Sequence, residues 1–198
     1  MTKTKKPITA FVITSLIVFV LFITYFCVSL SKKEVKELPL LGSVPQFSLV
    51  DSTSSSFTNK HLEGKVWVAN FMFTTCPGPC PIMNAEMAKL YRSYILEKNV
   101  DFVSISVNPG HDSPQKLTEY AKKYQANTNR WHFLTGDLES IHKIAHDGFK
   151  LGSKENPIVH STYFVLVDQK NQIRGYYQST EKSAIKQLFI DISTLVRQ

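Results

Sequence analysis

The sequence predicts an α/β fold, with a mixed central sheet flanked by helices, after a single N-terminal transmembrane helix. Its composition, 43% hydrophobic and 20% charged, is that of an ordinary folded chain. Residues 7–31 contain no charged residue and are mostly apolar. From residue 45 onward, strand-type apolar stretches alternate with stretches of helical spacing. This order is typical of a mostly parallel sheet with helices on its faces.

The N-terminal apolar segment is long enough to cross a bilayer, because about 20 apolar helical residues span the hydrocarbon core. A cleaved signal peptide is the alternative, but its apolar region would be shorter, and no small-residue cleavage site follows the segment. The bulky Tyr25 and Phe26 before Cys27 argue against a lipidated cysteine. We therefore predict that residues 1–31 form a cytoplasmic tail and an uncleaved anchor.

The excess of positive charge lies mainly near the anchor. The chain has 23 basic and 16 acidic residues, a net charge of +7, but six of the lysines and only two acidic residues precede Leu38. The remaining chain carries only +3, so a nucleic-acid-binding surface is not expected.

A short N-terminal tail usually stays inside, which predicts a domain on the periplasmic side of a bacterial inner membrane. No arginine precedes Arg92, unlike in a mitochondrial transit peptide.

The folded domain is predicted over residues 45–198, after a polar linker over residues 32–44. A near-continuous apolar stretch at 65–74 is typical of a strand buried on both faces, and Pro114 suits the first position of a helix. In chain order, we predict strands 46–51 and 65–74, helix 82–98, strand 100–107, helix 113–124, strand 131–134, helix 137–146, strands 162–167 and 173–177, and helix 181–196. The closing hairpin and helix narrow the fold to a thioredoxin-like architecture.

Two cysteines lie where the predicted strand 65–74 turns into the following helix. A helix N-terminus offers free N–H groups and the positive end of the helix dipole, which both favour a reactive thiolate. Cys76 and Cys80 are four residues apart, so their sulfurs can converge on one side, and three prolines stiffen the loop. An inert disulfide is the alternative interpretation. The pair predicts a redox-active or metal-binding site.

A third ligand is expected at His160, directly before the predicted strand 162–167. Imidazole with two thiolates suits copper, whereas two thiolates alone also serve redox exchange. A hydrogen-bonded turn residue is the other interpretation of this histidine. His142 and His146 are four apart on a predicted helix, but a solvent-exposed helix face is favoured there over a metal site. Core packing rather than copper binding is assigned to Met72, Met83 and Met87.

Four motifs make this sequence resemble the SCO/SenC family. In the family's order they are residues 74–81 (TTCPGPCP), 106–114 (SVNPGHDSP), 131–136 (WHFLTG) and 160–168 (HSTYFVLVD). The resemblance implies a thioredoxin-like fold, a membrane anchor and one copper, Cu(I) or Cu(II), held by Cys76, Cys80 and His160. It also implies a metallochaperone that helps to build the binuclear copper centre of cytochrome c oxidase. The implied partners are the copper-bearing oxidase subunit and other copper chaperones.

The sequence departs from the family pattern at one position. The family's acidic pair would fall on residues 108 and 112, but Asn108 stands at the first, so only Asp112 keeps the carboxylate. For Asp112, we favour a helix-capping role beside Ser113 and Pro114.

Two function classes remain open. The first is copper delivery, and the second is an extracytoplasmic thiol–disulfide oxidoreductase that keeps a partner's copper-ligating cysteines reduced. Three residues rather than two between the cysteines, together with His160, favour the metal. No Gly-rich phosphate loop is present, so a nucleotide site is not expected.

Overall fold

The computed structural model describes residues 6–31, 37–151 and 162–198, which fall into two units. The first unit contains helix α1 (Lys6–Ser31), which covers the apolar segment predicted as an anchor. In the part of the chain that is described, no helix is both long enough and apolar enough to cross a membrane. The helix of the prediction is confirmed, and membrane crossing stays a prediction.

The second unit, residues 37–198, is built on an eight-stranded sheet. Its spatial strand order is β1-β8-β7-β4-β5-β6-β2-β3. The strands are β1 (Gly42–Ser43), β2 (Ser48–Asp51), β3 (Ser56–Thr58), β4 (Val66–Met72), β5 (Val100–Ser106), β6 (Trp131–Thr135), β7 (Tyr163–Val167) and β8 (Gln172–Gln178). The helices are α2 (Pro79–Ser93), α3 (Pro114–Lys123), α4 (Leu138–Lys143) and α5 (Lys182–Val196), with a 3₁₀ turn at Asn59–Leu62 and a π-helical turn at Ile144–Gly148.

The sheet is mixed, as predicted, but it is not mostly parallel. Among the described strands, only the pairs β4–β5 and β5–β6 are parallel, and the other five neighbouring pairs are antiparallel. The expectation of a mostly parallel sheet is therefore wrong. The difference arises because β1, β2 and β3 join the two edges of the sheet in antiparallel pairs and the hairpin β7–β8 lies beside β4.

Two short strands were not expected from the sequence. Strand β1 lies within the predicted linker 32–44 and pairs with β8, with Gly42 opposite Ile173. Strand β3 follows a polar stretch and pairs with β2, with Phe57 opposite Leu49. Strands of two or three residues are too short to show a periodic pattern in the sequence. They are recognised only from the neighbouring strands with which they pair.

Apolar side chains pack on both faces of the sheet. All seven residues of β4 are buried, and successive side chains point to opposite faces. One apolar cluster includes Val68, Met72, Met83 and Met87 and contains side chains of α2, α3 and α5. The other includes Trp67 and Phe71 and contains side chains of α4. The assignment of the three methionines to the core is confirmed.

A buried chain of polar contacts fixes α2 on the sheet. Asn70 of β4 donates its Nδ2–H to Asn84 Oδ1 of α2 at 2.8 Å, and Asn84 donates in turn to the Tyr120 hydroxyl at 2.9 Å. Ser104 donates to Asn70 Oδ1 at 2.6 Å, and the Trp131 indole donates to Ser104 Oγ at 2.9 Å. Because unpaired buried polar groups are costly, these hydrogen bonds favour one position of α2.

Charged side chains form a cluster around Asp101, the second residue of β5. The Asp101 carboxylate is buried and accepts hydrogen bonds from Lys65 Nζ at 2.5 Å and Arg130 Nε at 2.8 Å, with His132 Nε2 at 3.3 Å. Burial raises the pKa of Asp101, but the hydrogen bonds from His132 and Lys65 outweigh it, so the pKa lies below its usual value. Asp101 is therefore ionised in the folded protein.

We expect Asp101→Asn to lower the free energy of unfolding of residues 37–198 by about 3 kcal/mol at neutral pH, because it leaves two cations without their buried partner. The wild-type advantage should be complete above the unfolded pKa of about 3.9 and should disappear as the pH falls through the lower folded value. Urea unfolding across this pH range measures both curves, with Glu86→Gln as a control in a more exposed pair. Parallel curves for wild type and Asp101→Asn would contradict the expectation.

Candidate metal centre

The two predicted cysteines lie together at the turn from β4 into α2. Strand β4 ends at Met72 and α2 begins at Pro79, so Cys76 lies in the connecting loop and Cys80 in the first helical turn. Both thiols are free, only 7% and 5% exposed, and joined by a hydrogen bond. The N–H of Cys76 donates to the Phe73 carbonyl at 3.2 Å, which turns the loop toward the helix.

The two thiols differ in acidity. Burial raises the pKa of Cys76, but hydrogen bonds from the Cys80 thiol and from the N–H groups of Cys80 and Gly78 outweigh it, so the pKa is lowered. Burial and the hydrogen bond to Cys76 raise the pKa of Cys80. Cys76 therefore ionises first. A soft metal ion bound by both sulfurs would displace the remaining proton, since coordinating thiols are deprotonated.

A buried carboxylate supports the loop that carries Cys76. Asp112 Oδ2 accepts the N–H of Thr74 at 2.9 Å and the Ser106 hydroxyl at 2.6 Å. Its Oδ1 accepts the Thr74 hydroxyl at 2.5 Å and lies 3.0 Å from His111 Nδ1. Burial raises the pKa of Asp112, but the hydrogen bonds from Ser106, Thr74 and His111 outweigh it and leave the pKa lowered. The carboxylate thus joins the loop after β5 to the loop before Cys76.

The interpretation of Asp112 as a cap of α3 is wrong. Ser113 is the N-cap, and its Oγ accepts the N–H of Lys116 at 3.4 Å. The Asp112–Thr74 contact was missed, although the sequence contains a sign of it. Both residues follow the carboxyl ends of neighbouring parallel strands, and such ends meet at one edge of a sheet. Asn108, at the position of the other family acid, donates its N–H to Ser106 Oγ at 3.1 Å.

His160 lies outside the described residues, so its role as the third ligand stays a prediction. The strand that follows it is described. Strand β7 is the antiparallel neighbour of β4, with Val165 opposite Ala69. Tyr163, the first residue of β7, therefore lies near the C-terminal end of β4, where the cysteine loop begins.

The histidine pair His142 and His146 does not form a metal cluster with its neighbours among the described residues. His142 lies in α4, but His146 lies in the π-helical turn that follows, so the regular four-residue spacing of an α-helix does not apply. His146 Nδ1 lies 2.8 Å from Asp147 Oδ1, and His142 is half-buried rather than fully solvent-exposed. In the described residues, no group of three or more His, Cys, Asp or Glu side chains is placed to hold a metal ion.

The fold and the site define a thioredoxin-like protein with a free dithiol at the turn from a central strand into its helix. Residues 40–197 match the SCO1/SenC family model, and the chain belongs to this family. The SCO1 protein homolog of Bacillus subtilis (strain 168) is 30% identical over 168 residues, which cover 82% of this chain and 86% of the relative. The resemblance in the four sequence motifs is thereby confirmed.

Solved structures agree with this assignment. The chain superposes with a TM-score of 0.72 on BsSco, described as a Sco-family cytochrome c oxidase assembly protein with a disulfide switch, at 28% identity and with 82% of this chain and 98% of that chain covered. Arabidopsis thaliana ScoI, solved with copper bound, matches with a TM-score of 0.64 at 25% identity, with coverages of 77% and 98%. Proteins of this family are thus involved in copper binding and in cytochrome c oxidase assembly.

Proposed function

We propose that this chain is a membrane-anchored metallochaperone that delivers copper to, or prepares the thiols of, the binuclear copper site of cytochrome c oxidase. The observation that carries the proposal is the pair of free, buried and hydrogen-bonded thiols of Cys76 and Cys80 at the turn into α2. Two thiolates suit Cu(I), and the imidazole of His160 adds a ligand suited to Cu(II). The copper-bound and oxidase-assembly relatives support the same chemistry.

The proposed surroundings follow from the N-terminal segment. We place the chain in a bacterial inner membrane, spanned once by residues 7–31, with residues 37–198 on the periplasmic side. The partners there are the copper-bearing subunit of cytochrome c oxidase and other copper chaperones. No nucleic-acid partner is proposed, since the chain from Leu38 onward carries only +3.

A thiol–disulfide oxidoreductase is the second candidate, and the unequal acidity of the two thiols favours it. The Cys76 thiolate would attack a partner's disulfide and form a mixed disulfide, and one partner thiolate would leave. Cys80 would then attack the mixed disulfide and release the second partner thiol, so that the partner is reduced and the pair Cys76–Cys80 is oxidised. The disulfide switch described for BsSco concerns the same type of chemistry.

Copper titration of the reduced full chain tests the proposal. We expect one copper per chain, because a single dithiol is available in the described residues. Competition with a chromophoric Cu(I) chelator gives both stoichiometry and affinity, and the oxidised disulfide form is the matched control, since its sulfurs are no longer thiolates. Equal copper binding by the reduced and oxidised forms would contradict a thiolate site.

The proposed anchor predicts that the native protein stays in the membrane fraction after a carbonate wash and begins near its encoded N-terminus. A variant that lacks residues 1–31 should appear in the soluble fraction, because it lacks the apolar segment. Membrane fractionation and N-terminal sequencing measure both. A mature N-terminus at or beyond Cys27 would make the segment a removed signal.

A further inference from the structure

We propose that Asp112 is a positioning residue for the cysteine pair, because its buried carboxylate fixes the loop over residues 73–78 from which Cys76 projects. Cys76 and Cys80 would then be held together before a metal ion or a disulfide forms. The part of this inference that concerns copper affinity rests on the proposed function. The part that concerns the order of the loop does not.

The contacts between Asp112 and the loop are concentrated on one residue. Both donors of Thr74, its main-chain N–H at 2.9 Å and its hydroxyl at 2.5 Å, end on Asp112, one on each carboxylate oxygen. Thr74 is only two residues before Cys76, and the N–H of Cys76 donates to the Phe73 carbonyl. The main chain is therefore fixed at Thr74 by Asp112 and again at Cys76 by the turn.

The carboxylate is itself held from the side of the sheet. Ser106, the last residue of β5, donates its hydroxyl to Oδ2 at 2.6 Å. The main-chain N–H of Asp112 donates to the Asn108 carbonyl at 2.9 Å. Strand β5 pairs with β4 along its whole length, from Val66 opposite Val100 to Met72 opposite Ser106. Asp112 thus connects the cysteine loop to a rigid part of the fold.

The contacts require a carboxylate at this position. A carboxylate is a pure acceptor with about four lone-pair sites, and four protein groups surround this one: the Thr74 N–H, the Thr74 hydroxyl, the Ser106 hydroxyl and His111 Nδ1. An asparagine would keep one acceptor oxygen and direct its own NH₂ group at two of these donors. Hydrogen bonds to a charged acceptor are also stronger than those to a neutral one. Replacing the carboxylate would therefore weaken the contacts that hold the loop at Thr74.

Asp101 provides a matched control at the other end of β5. Its carboxylate is also fully buried and also receives several donors, but these come from Lys65, Arg130 and His132. Asp101→Asn therefore removes an equally buried charge near the start of β5, without touching the cysteine loop. An effect found only in Asp112→Asn is then local to the loop and not a general loss of stability.

The test uses the reduced, metal-free full chain in detergent, with amide hydrogen exchange read by mass spectrometry. In Asp112→Asn we expect exchange in residues 73–80 to become about tenfold faster or more, because a buried hydrogen bond to a charged group is lost. Asp101→Asn, which lowers the stability of the whole unit, should speed exchange in residues 73–80 no more than it speeds exchange in the other described strands and helices. The Cu(I) affinity should fall by about 10- to 100-fold in Asp112→Asn and stay within a few-fold of the wild type in Asp101→Asn.

A second pair of variants applies if Asp112→Asn does not fold. Thr74→Val removes the hydroxyl donor on the loop side of the carboxylate, and Ser106→Ala removes the donor on the sheet side. Thr74→Val should raise exchange in residues 73–80 more than Ser106→Ala does.

Wild-type exchange in residues 73–80 of Asp112→Asn, or equal effects of Thr74→Val and Ser106→Ala, would overturn the positioning role. Failure of the wild-type chain to bind copper would instead overturn the proposed function. The exchange comparison would still decide the role of Asp112, because it is made without metal.

Discussion

Replacing Cys76 or Cys80 with serine is expected to abolish tight copper binding. Each substitution replaces one soft thiolate with a hydroxyl, which is a poor ligand for Cu(I). Only one thiolate then remains to bind the metal. The loss should exceed the roughly 10- to 100-fold that is typical when only an outer-sphere contact of a metal ligand is removed. Chelator competition on the reduced full chain measures it.

Cys27→Ser is the matched control, since it makes the same chemical change at the third cysteine of the chain, outside the unit that contains the site. It should leave the copper affinity unchanged. Circular dichroism of each variant separates a lost ligand from a lost fold, because Cys76 and Cys80 belong to an apolar cluster. A Cys76→Ser, Cys80→Ser double variant that still bound one copper with wild-type affinity would place the site elsewhere, with His142 and His146 as the first candidates.

His160→Ala is expected to weaken Cu(II) binding strongly, by more than about tenfold, and to leave much of the Cu(I) affinity, because both thiolates remain. A histidine must be neutral to bind a metal, so wild-type Cu(II) affinity should decline as the pH falls below the ordinary imidazole pKa of about 6.5. The variant should lack this part of the pH dependence. Titrations with both copper ions at two pH values measure the difference.

His146→Ala is the control for this prediction, because it makes the same chemical change at a partly exposed imidazole whose Nδ1 lies beside Asp147. It should behave like the wild type with both ions. The rate of disulfide exchange in His160→Ala should stay within a few-fold of the wild-type rate, since the sulfurs and the helix terminus are unchanged. Unchanged Cu(II) affinity in His160→Ala would contradict its role as a ligand.

The central elements of the fold could be predicted because each has its own periodic pattern. Strand β4 was found as an apolar stretch, and β5 and the helices α3 and α5 were found within a few residues of their observed ends. The same periodicity gives no strand direction, which is why a mostly parallel sheet was expected. The short strands β1 and β3 escaped detection because their pairing is decided by β8 and β2, not by their own residues.

The site was predictable where its chemistry lies in one short stretch of sequence. Cys76 and Cys80 are only four residues apart in the chain, and a strand–turn–helix pattern surrounds them, so their placement followed directly. The role of Asp112 did not follow, because a helix start lies beside it and capping is the local use of an aspartate there. Its actual contacts join residues 38 positions apart, and only the pairing of β4 with β5 brings them together.

Delivery of copper to cytochrome c oxidase is tested most directly by oxidase activity in cells whose only copy of this protein carries His160→Ala. The sulfurs remain in that variant, so a thiol reductase would still function, whereas a copper donor would lack one of its three proposed ligands. The proposed function predicts loss of oxidase activity in medium without added copper, as in cells that carry Cys76→Ser. Full oxidase activity in the His160→Ala cells under those conditions would contradict copper delivery through His160 and favour the thiol–disulfide oxidoreductase.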